Sequence, residues 1–258
     1  MVDTILETEG LTKEFRGFAA VSDVRLQVAR GSIHGLIGPN GAGKTTCFNL
    51  LTKFLPPTRG SIRYDGRDIT GMKPAEVARL GLVRSFQISA VFPNLTVLEN
   101  VRLALQRQRG GSFDFWRGES LLRQYDDRAM QLLEDVGLTG YARHAAGQLP
   151  YGRKRALEIA TTLALDPVMM LLDEPTAGMT HEDVDRIVTL VKRVAAGRTV
   201  LLVEHNLKVV EGLCDTITVL TRGRVLAQGD YATVSRNPEV QAAYLGTDPS
   251  IAGGTQHV

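Results

Sequence analysis

Gly38 to Thr45 reads GPNGAGKT, and no other stretch constrains the chain as tightly. Every fixed position of the pattern G-x-x-x-x-G-K-[ST] is met. An apolar run, Ile33-His34-Gly35-Leu36-Ile37, precedes it, and a helix-like stretch from Thr45 to Leu55 follows. Strand, glycine loop and helix are the context in which such a loop cradles phosphate. Gly38, Gly41 and Gly43 can take backbone angles closed to other residues, so successive N–H groups turn inward, and the helix N-terminus adds partial positive charge. Pro39, Asn40 and Ala42 fill the free positions of the loop, and Thr46 continues it into the helix. Lys44 is placed to reach the β- and γ-phosphates and Thr45 to ligate Mg²⁺. The stretch predicts a nucleoside triphosphate site.

The 258 residues suffice for a large core, as one domain or a core with a subdomain. Thirty basic against 28 acidic residues leave a net charge of +2, without the basic footprint that nucleic-acid binding requires. Two cysteines far apart in sequence, Cys47 and Cys214, are read as reduced thiols in a cytosolic protein. No apolar run approaches the length of a membrane span, and MVDTILETEG lacks the pattern of a signal peptide. Any membrane role is therefore expected to come through a partner.

Along the chain, Thr4 to Thr8 and Val24 to Val28 alternate as half-buried strands do, with Phe15-Arg-Gly-Phe18 between them. An aromatic upstream of a phosphate loop can stack on adenine, and Phe15 is preferred to Phe18, packing being the alternative for both. Ser61 to Tyr64 and Arg67 to Ile69 flank an Asp-Gly turn as a hairpin. Leu82 to Phe86 reads as a strand with Gln87 at its end. From about 90 to 165 the pattern turns helical: Val97 to Gln108, Ser120 to Val136 and Gly152 to Leu165. The expectation is a helical subdomain inserted into an α/β core. Arg107 to Glu119 carries Phe113, Phe115 and Trp116, read as a local aromatic tuck in preference to a partner-binding loop. A helix from Glu182 to Ala195, a strand from Thr199 to Val203 and a hairpin around Arg222-Gly223 follow. One domain is expected over 1–246, and 247–258 reads as a disordered tail.

Val168 to Leu172 is a continuous apolar strand ending in Asp173-Glu174. Two carboxylates at a strand end, downstream of a phosphate loop, make the second half of a nucleotide-hydrolysing site. Asp173 would hold Mg²⁺, directly or through water, and Glu174 would polarise the attacking water. His205 ends the next strand, placed to contact the γ-phosphate and hold that water.

GPNGAGKT, Gln87, Leu149-Pro-Tyr-Gly-Arg153, the strand ending Asp173-Glu174 and His205 together resemble the ATP-binding subunit of ABC transporters, from Ile5 to about Leu245. LPYGRKRALEIA, DEPTAGM, VEHN and NPEVQAAYLG look more narrowly like the branched-chain amino acid importer ATPases, with features shared by urea importers and the lipopolysaccharide exporter ATPase. The resemblance implies an α/β P-loop NTPase core with an N-terminal antiparallel β subdomain and the inserted helical one, hydrolysing ATP with Mg²⁺. It implies that Phe15 stacks adenine, and that Gln87 joins Mg²⁺ and the lytic water to permease movement. Leu149, Pro150, Tyr151, Gly152 and Arg153 would close over ATP held by a second ATPase subunit, with Ala177 to Thr180 crossing between the two. Further implied partners are integral-membrane permeases and, through them, a periplasmic or extracellular substrate-binding protein. The chain would sit on the cytoplasmic face of the plasma membrane.

The usual signature is LSGGQ or LSYGQ. Here Pro150 replaces its serine and Arg153 its glutamine, so Arg153 is expected either to restore the lost phosphate contact by charge or to point to solvent. Thr180 stands where many relatives have Asp. Of the rival classes, DNA-repair relatives carry long coiled coils and translation relatives two ATP sites, neither present here. A nucleotide kinase is disfavoured by the signature and His205.

Overall fold

The structure is a computed structural model that describes residues 3–85, 91–107 and 124–245. The chain opens with β1 (Thr4–Phe15), β2 (Phe18–Val24), β3 (Gln27–Ala29) and β4 (Ile33–Ile37), then helix α1 (Lys44–Leu51). Next come β5 (Arg59–Tyr64), β6 (Arg67–Asp68), α2 (Pro74–Arg79) and β7 (Leu82–Ser85). Helices α3 (Val97–Arg107), α4 (Asp126–Asp135) and α5 (Tyr151–Leu163) lead to β8 (Met169–Asp173), α6 (His181–Ala195) and β9 (Thr199–Val203). The chain continues through α7 (Leu207–Leu213), β10 (Thr216–Thr221), β11 (Arg224–Gly229), α8 (Tyr231–Ser235) and α9 (Pro238–Leu245).

Two sheets result. Strands β2, β1, β5 and β6 pair in that order and antiparallel, with β3 also on β1. The second sheet runs β11-β10-β4-β9-β8-β7, parallel except for its edge strand β11. The apolar runs in β8 and β9 are continuous because both faces of this sheet are covered. Met169, Leu171, Leu201 and Val203 face a core shared with α1 and the antiparallel sheet. Met170, Leu172, Val200 and Leu202 face the opposite core, shared with α3 to α6. The helical segment thus has no isolated core of its own: Val97, Val101, Leu132, Leu133 and Leu157 belong to the same cluster as one face of the central sheet.

Several boundaries differ from the sequence reading. The first strand does not stop at Thr8. Gly10, at φ 58°, absorbs a bulge, and the strand continues to Phe15. Val24 to Val28 is not one strand, because the Thr8 hydroxyl donates to Val24 O and accepts from Leu26 N, breaking the ladder between β2 and β3. The helix after the glycine loop ends at Leu51, well before Leu55, with Lys53 left-handed at φ 64° beyond it. Gln124 and Tyr125 form a turn ahead of α4, so the helix starting at Ser120 is contradicted there, while 120–123 lie outside the described residues. Phe86, Gln87, Gln108, most of the 107–119 loop and the 247–258 tail also lie outside them. Helices α2, α7, α8 and α9 are additions to the sequence reading.

Candidate functional site

The ends of β4, β8 and β9 leave the parallel sheet at matching register: Asp173 pairs with Val203, and Val203 with Leu36. The glycine loop, the Asp173-Glu174 pair and Glu204-His205 therefore emerge side by side at the carboxyl edge, where parallel sheets collect ligands.

The loop's glycines are required by its surroundings. At Gly38, φ 151°, a Cβ would lie 2.2 Å from Leu220 O, and at Gly43, φ 100°, 2.5 Å from Ala20 O. The second contact shows that the β1–β2 hairpin rests on the loop, which brings the Phe15–Phe18 turn to this end of the molecule. Phe15 is 43% exposed, with Lys13 Nζ 5.3 Å from its ring centre, so it offers a surface platform; Phe18 is more exposed still. Lys44 is buried and its ammonium turns back over the loop, donating to Gly38 O at 2.6 Å and Pro39 O at 3.1 Å. Burial lowers its pKa, and the fields of Glu174 and Asp173 oppose that. Ala42 is buried, Asn40 and Thr45 are exposed, and Thr46 lies half-buried in the first turn of α1.

Asp173 is buried at the end of β8. One carboxylate oxygen, Oδ2, is ion-paired with the Arg84 guanidinium from β7, which also donates to Asn49 Oδ1 on α1 at 2.6 Å. The other oxygen, Oδ1, is buried and has no hydrogen-bond partner among the described residues. An orphaned carboxylate oxygen is a costly thing to bury, and a hydrated cation would satisfy it. The donors therefore fit a divalent ion. No cluster of three or more His, Cys, Asp or Glu side chains suited to a metal occurs among the described residues.

Glu174 follows in the left-handed region, φ 45°, held by its N–H on Val203 O at 2.9 Å. Such a conformation is strained for a non-glycine residue, and its occurrence here aims the side chain away from the strand line. Beyond it, Glu204 is fully buried. Its Oε1 accepts from Thr176 N at 3.1 Å and Thr176 Oγ1 at 2.5 Å, and its Oε2 from the N–H groups of His205 and Asn206 at 3.1 and 3.3 Å. One carboxylate thus ties the loop after Glu174 to the loop that carries the exposed His205. Sequence reading missed Glu204, Arg84 and Asn49. The only signal for Glu204 was a charged residue just past an apolar strand, and for Arg84 a charged residue within a short one.

The signature stretch lies at the start of α5. Leu149 is buried, Pro150 is the N-cap residue, Tyr151 is 50% exposed with its hydroxyl accepting from Arg155, and Gly152 is buried. A Cβ on Gly152 would stand 2.9 Å from Asp183 Cγ, so the glycine lets α5 and the start of α6 approach closely. Thr180 caps α6 by accepting from Asp183 N, which supplies the capping role of an Asp at that position. Within the single chain the Arg153 guanidinium stacks on Tyr141, 4.0 Å from the ring centre. Both cysteines are free, and burial pushes each thiol up to about 12, away from the reactive thiolate form.

A family model described as ABC transporter matches residues 21–177, and one described as Branched-chain amino acid ATP-binding cassette transporter matches 224–249. The high-affinity branched-chain amino acid transport ATP-binding protein BraF of Pseudomonas aeruginosa is 41% identical over 252 residues, covering 94% of this chain and 98% of its own. The corresponding LivG of Escherichia coli is 38% identical, covering 95% and 99%. A solved ATP-binding cassette of an ABC transporter in its ADP conformation is 31% identical with a TM-score of 0.83, covering 94% of this chain and 99% of its own. A dimeric cassette bound to ADP and Pi is 26% identical, with a TM-score of 0.74 and coverages of 88% and 99%. The chain therefore belongs to the ABC transporter family, as an ATP-binding, ATP-hydrolysing subunit of the P-loop fold.

Proposed function

We propose that this ATPase powers uptake of branched-chain or other hydrophobic amino acids. The observation that carries the cargo class is the second family match, over 224–249, because its described part, 224–245, forms β11, α8 and α9 and lies outside the glycine loop and the loops after β8 and β9. Urea import and lipopolysaccharide export, open from the motifs alone, have no comparable support among the relatives described.

In this reading Gly38 to Thr46 hold the ATP phosphates and Lys44 meets the β- and γ-phosphates; Thr45 and Asp173 Oδ1 would hold Mg²⁺, which would supply charge neutralisation at the phosphates. Glu174 accepts a proton from the attacking water, and His205 positions that water against the γ-phosphate. Phe15 stacks the adenine. Gln87 links the metal to the permeases. Leu149 to Arg153 cover the nucleotide of a second ATPase subunit, in line with the dimeric relative, with Arg153 leaving Tyr141 to meet phosphate in place of the absent serine. Residues 1–246 act as one ATPase domain, with a helical subdomain at about 90–165.

No helix among the described residues is long and apolar enough to cross a membrane. Attachment to the cytoplasmic face of the plasma membrane is accordingly through permeases, which receive cargo from a substrate-binding protein.

Glu174→Gln tests the reading. The variant is expected to bind ATP, to hydrolyse it at least about a hundredfold more slowly, within the range for loss of a general base, and to abolish leucine uptake by vesicles carrying the permeases that co-purify with the chain. Undiminished hydrolysis removes Glu174 from its role. Hydrolysis that depends on Glu174 in vesicles that never take up leucine, isoleucine or valine removes the cargo assignment alone.

A further inference from the structure

Arg84 belongs to none of the roles above, yet it touches the centre of the site. Its side chain is 9% exposed and the Asp173 carboxylate 1%. It is held on three sides: by Asp173 Oδ2, by Asn49 Oδ1 at 2.6 Å, and by the face of Phe48, 5.6 Å from the ring centre. Asn49 and Phe48 lie on α1, the helix that begins at Lys44, while Asp173 lies on β8. The arginine therefore bridges the phosphate-binding helix and the metal-ligand strand. It occupies one oxygen of Asp173 and leaves the other without a partner among the described residues.

The charges at this spot balance. Asp173 and Glu174 contribute two negative charges, and Arg84 and Lys44 two positive ones; Lys44 lies within the field of both carboxylates. A divalent cation approaching this arrangement alone meets no net attraction, and its desolvation is not compensated. ATP adds the negative charge that is missing.

We propose that Arg84 is a positioning residue that makes metal loading conditional on nucleotide. It orients Asp173 so that Oδ1 faces the metal, and its charge prevents that carboxylate from capturing a divalent cation before the triphosphate arrives. The inference rests on Asp173 being the metal ligand of the proposed function. Arg84, buried and fixed by three contacts, does not need to move: the metal takes Oδ1 while the guanidinium keeps Oδ2.

Mn²⁺ binding to the full chain, counted by electron paramagnetic resonance at fixed ionic strength, tests it without reference to turnover. Wild type without nucleotide is expected to bind no more Mn²⁺ than Asp173→Asn. With the analogue AMP-PNP, wild type is expected to bind one ion at least about tenfold more tightly than Asp173→Asn does. Arg84→Gln without nucleotide is expected to gain a Mn²⁺ site at least about tenfold tighter than wild type, the change a neighbouring unit charge makes for a divalent ion even under water-like screening. Arg84→Lys, which keeps the charge, should stay within twofold of wild type. Equal nucleotide-free affinity in Arg84→Gln and wild type overturns the proposal. So does nucleotide-free Mn²⁺ binding by wild type that Asp173→Asn abolishes, a comparison that stands even where Arg84→Gln does not fold. If AMP-PNP brings wild type no tighter site than Asp173→Asn, the assignment of Asp173 as ligand fails instead.

Discussion

Replacing Glu204 with Ala probes the joint between the loop after Glu174 and the loop that carries His205. Its carboxylate accepts four hydrogen bonds, and the two from Thr176 come from a residue that is itself only 5% exposed. The N–H groups of His205 and Asn206 lie nearer the surface and can turn to water, whereas those two Thr176 donors cannot. A hydrogen bond to a charged group contributes about 1.5–3 kcal/mol, and removing the carboxylate also relieves the cost of burying its charge. The net loss is about 2–4 kcal/mol. For a chain of this size, at about 2 °C per kcal/mol, that lowers Tm by roughly 4–8 °C, measurable by calorimetry or by circular dichroism. The kinetic effect should be selective. Lys44 and the glycine loop are untouched, so KM for ATP should change by less than about threefold. Turnover should fall by about a hundredfold, as misplacement by an ångström costs in a preorganised site. Thr176→Val, which removes one of the four bonds, should show a smaller loss on the same axis. Wild-type Tm with wild-type turnover in Glu204→Ala would refute the argument, and a fall in Tm with normal turnover would make Glu204 a purely structural anchor.

Lys44→Ala should abolish hydrolysis and weaken ATP binding by tenfold or more, because a phosphate charge loses its buried cation; undiminished turnover would remove the loop from its role. His34, buried on β4 with Nε2 2.8 Å from Thr218 Oγ1, is held neutral, its pKa lowered by burial from 6.5 to about 4. The unfolded chain takes up that proton below about 6.5 and the folded one does not, so about 3 kcal/mol of stability should drain away as pH falls from 6.5 toward 4. Denaturant titrations of wild type and His34→Gln should converge across that window, and parallel curves would contradict the assignment. Arg153→Gln in the Glu174→Gln background should weaken ATP-driven dimerisation severalfold at low salt and less at high salt; dimerisation equal to its parent at both, by light scattering, would leave Arg153 with only its stack on Tyr141.

The chemistry-bearing segments were legible because they are local. A glycine loop needs its glycines wherever a Cβ would strike a neighbouring carbonyl, as at Gly38 and Gly43, and that need shows in the residue types themselves. Likewise β8 and β9 announce themselves as central strands, since burial on both faces demands apolar residues at every position. Short amphipathic pieces such as α2 and α7 escaped notice because six or seven residues carry too little periodicity, and their helicity is supplied by contact with the rest of the molecule. The register Leu36–Val203–Asp173 was beyond sequence reading for another reason. It joins residues far apart in the chain through backbone hydrogen bonds that carry no residue preference. The same kind of long-range pairing, β7 on β8 with Arg84 beside Leu171, brings Arg84 to Asp173, and the β8–β9 register brings Glu204 beneath the loop that follows Glu174. Sequence alone therefore determined that this chain binds and hydrolyses a nucleotide, because those groups must be of particular types at particular spacings. Tertiary structure decided which charges neutralise and orient them, because a buried charge is defined by its neighbours in space, and these come from other strands.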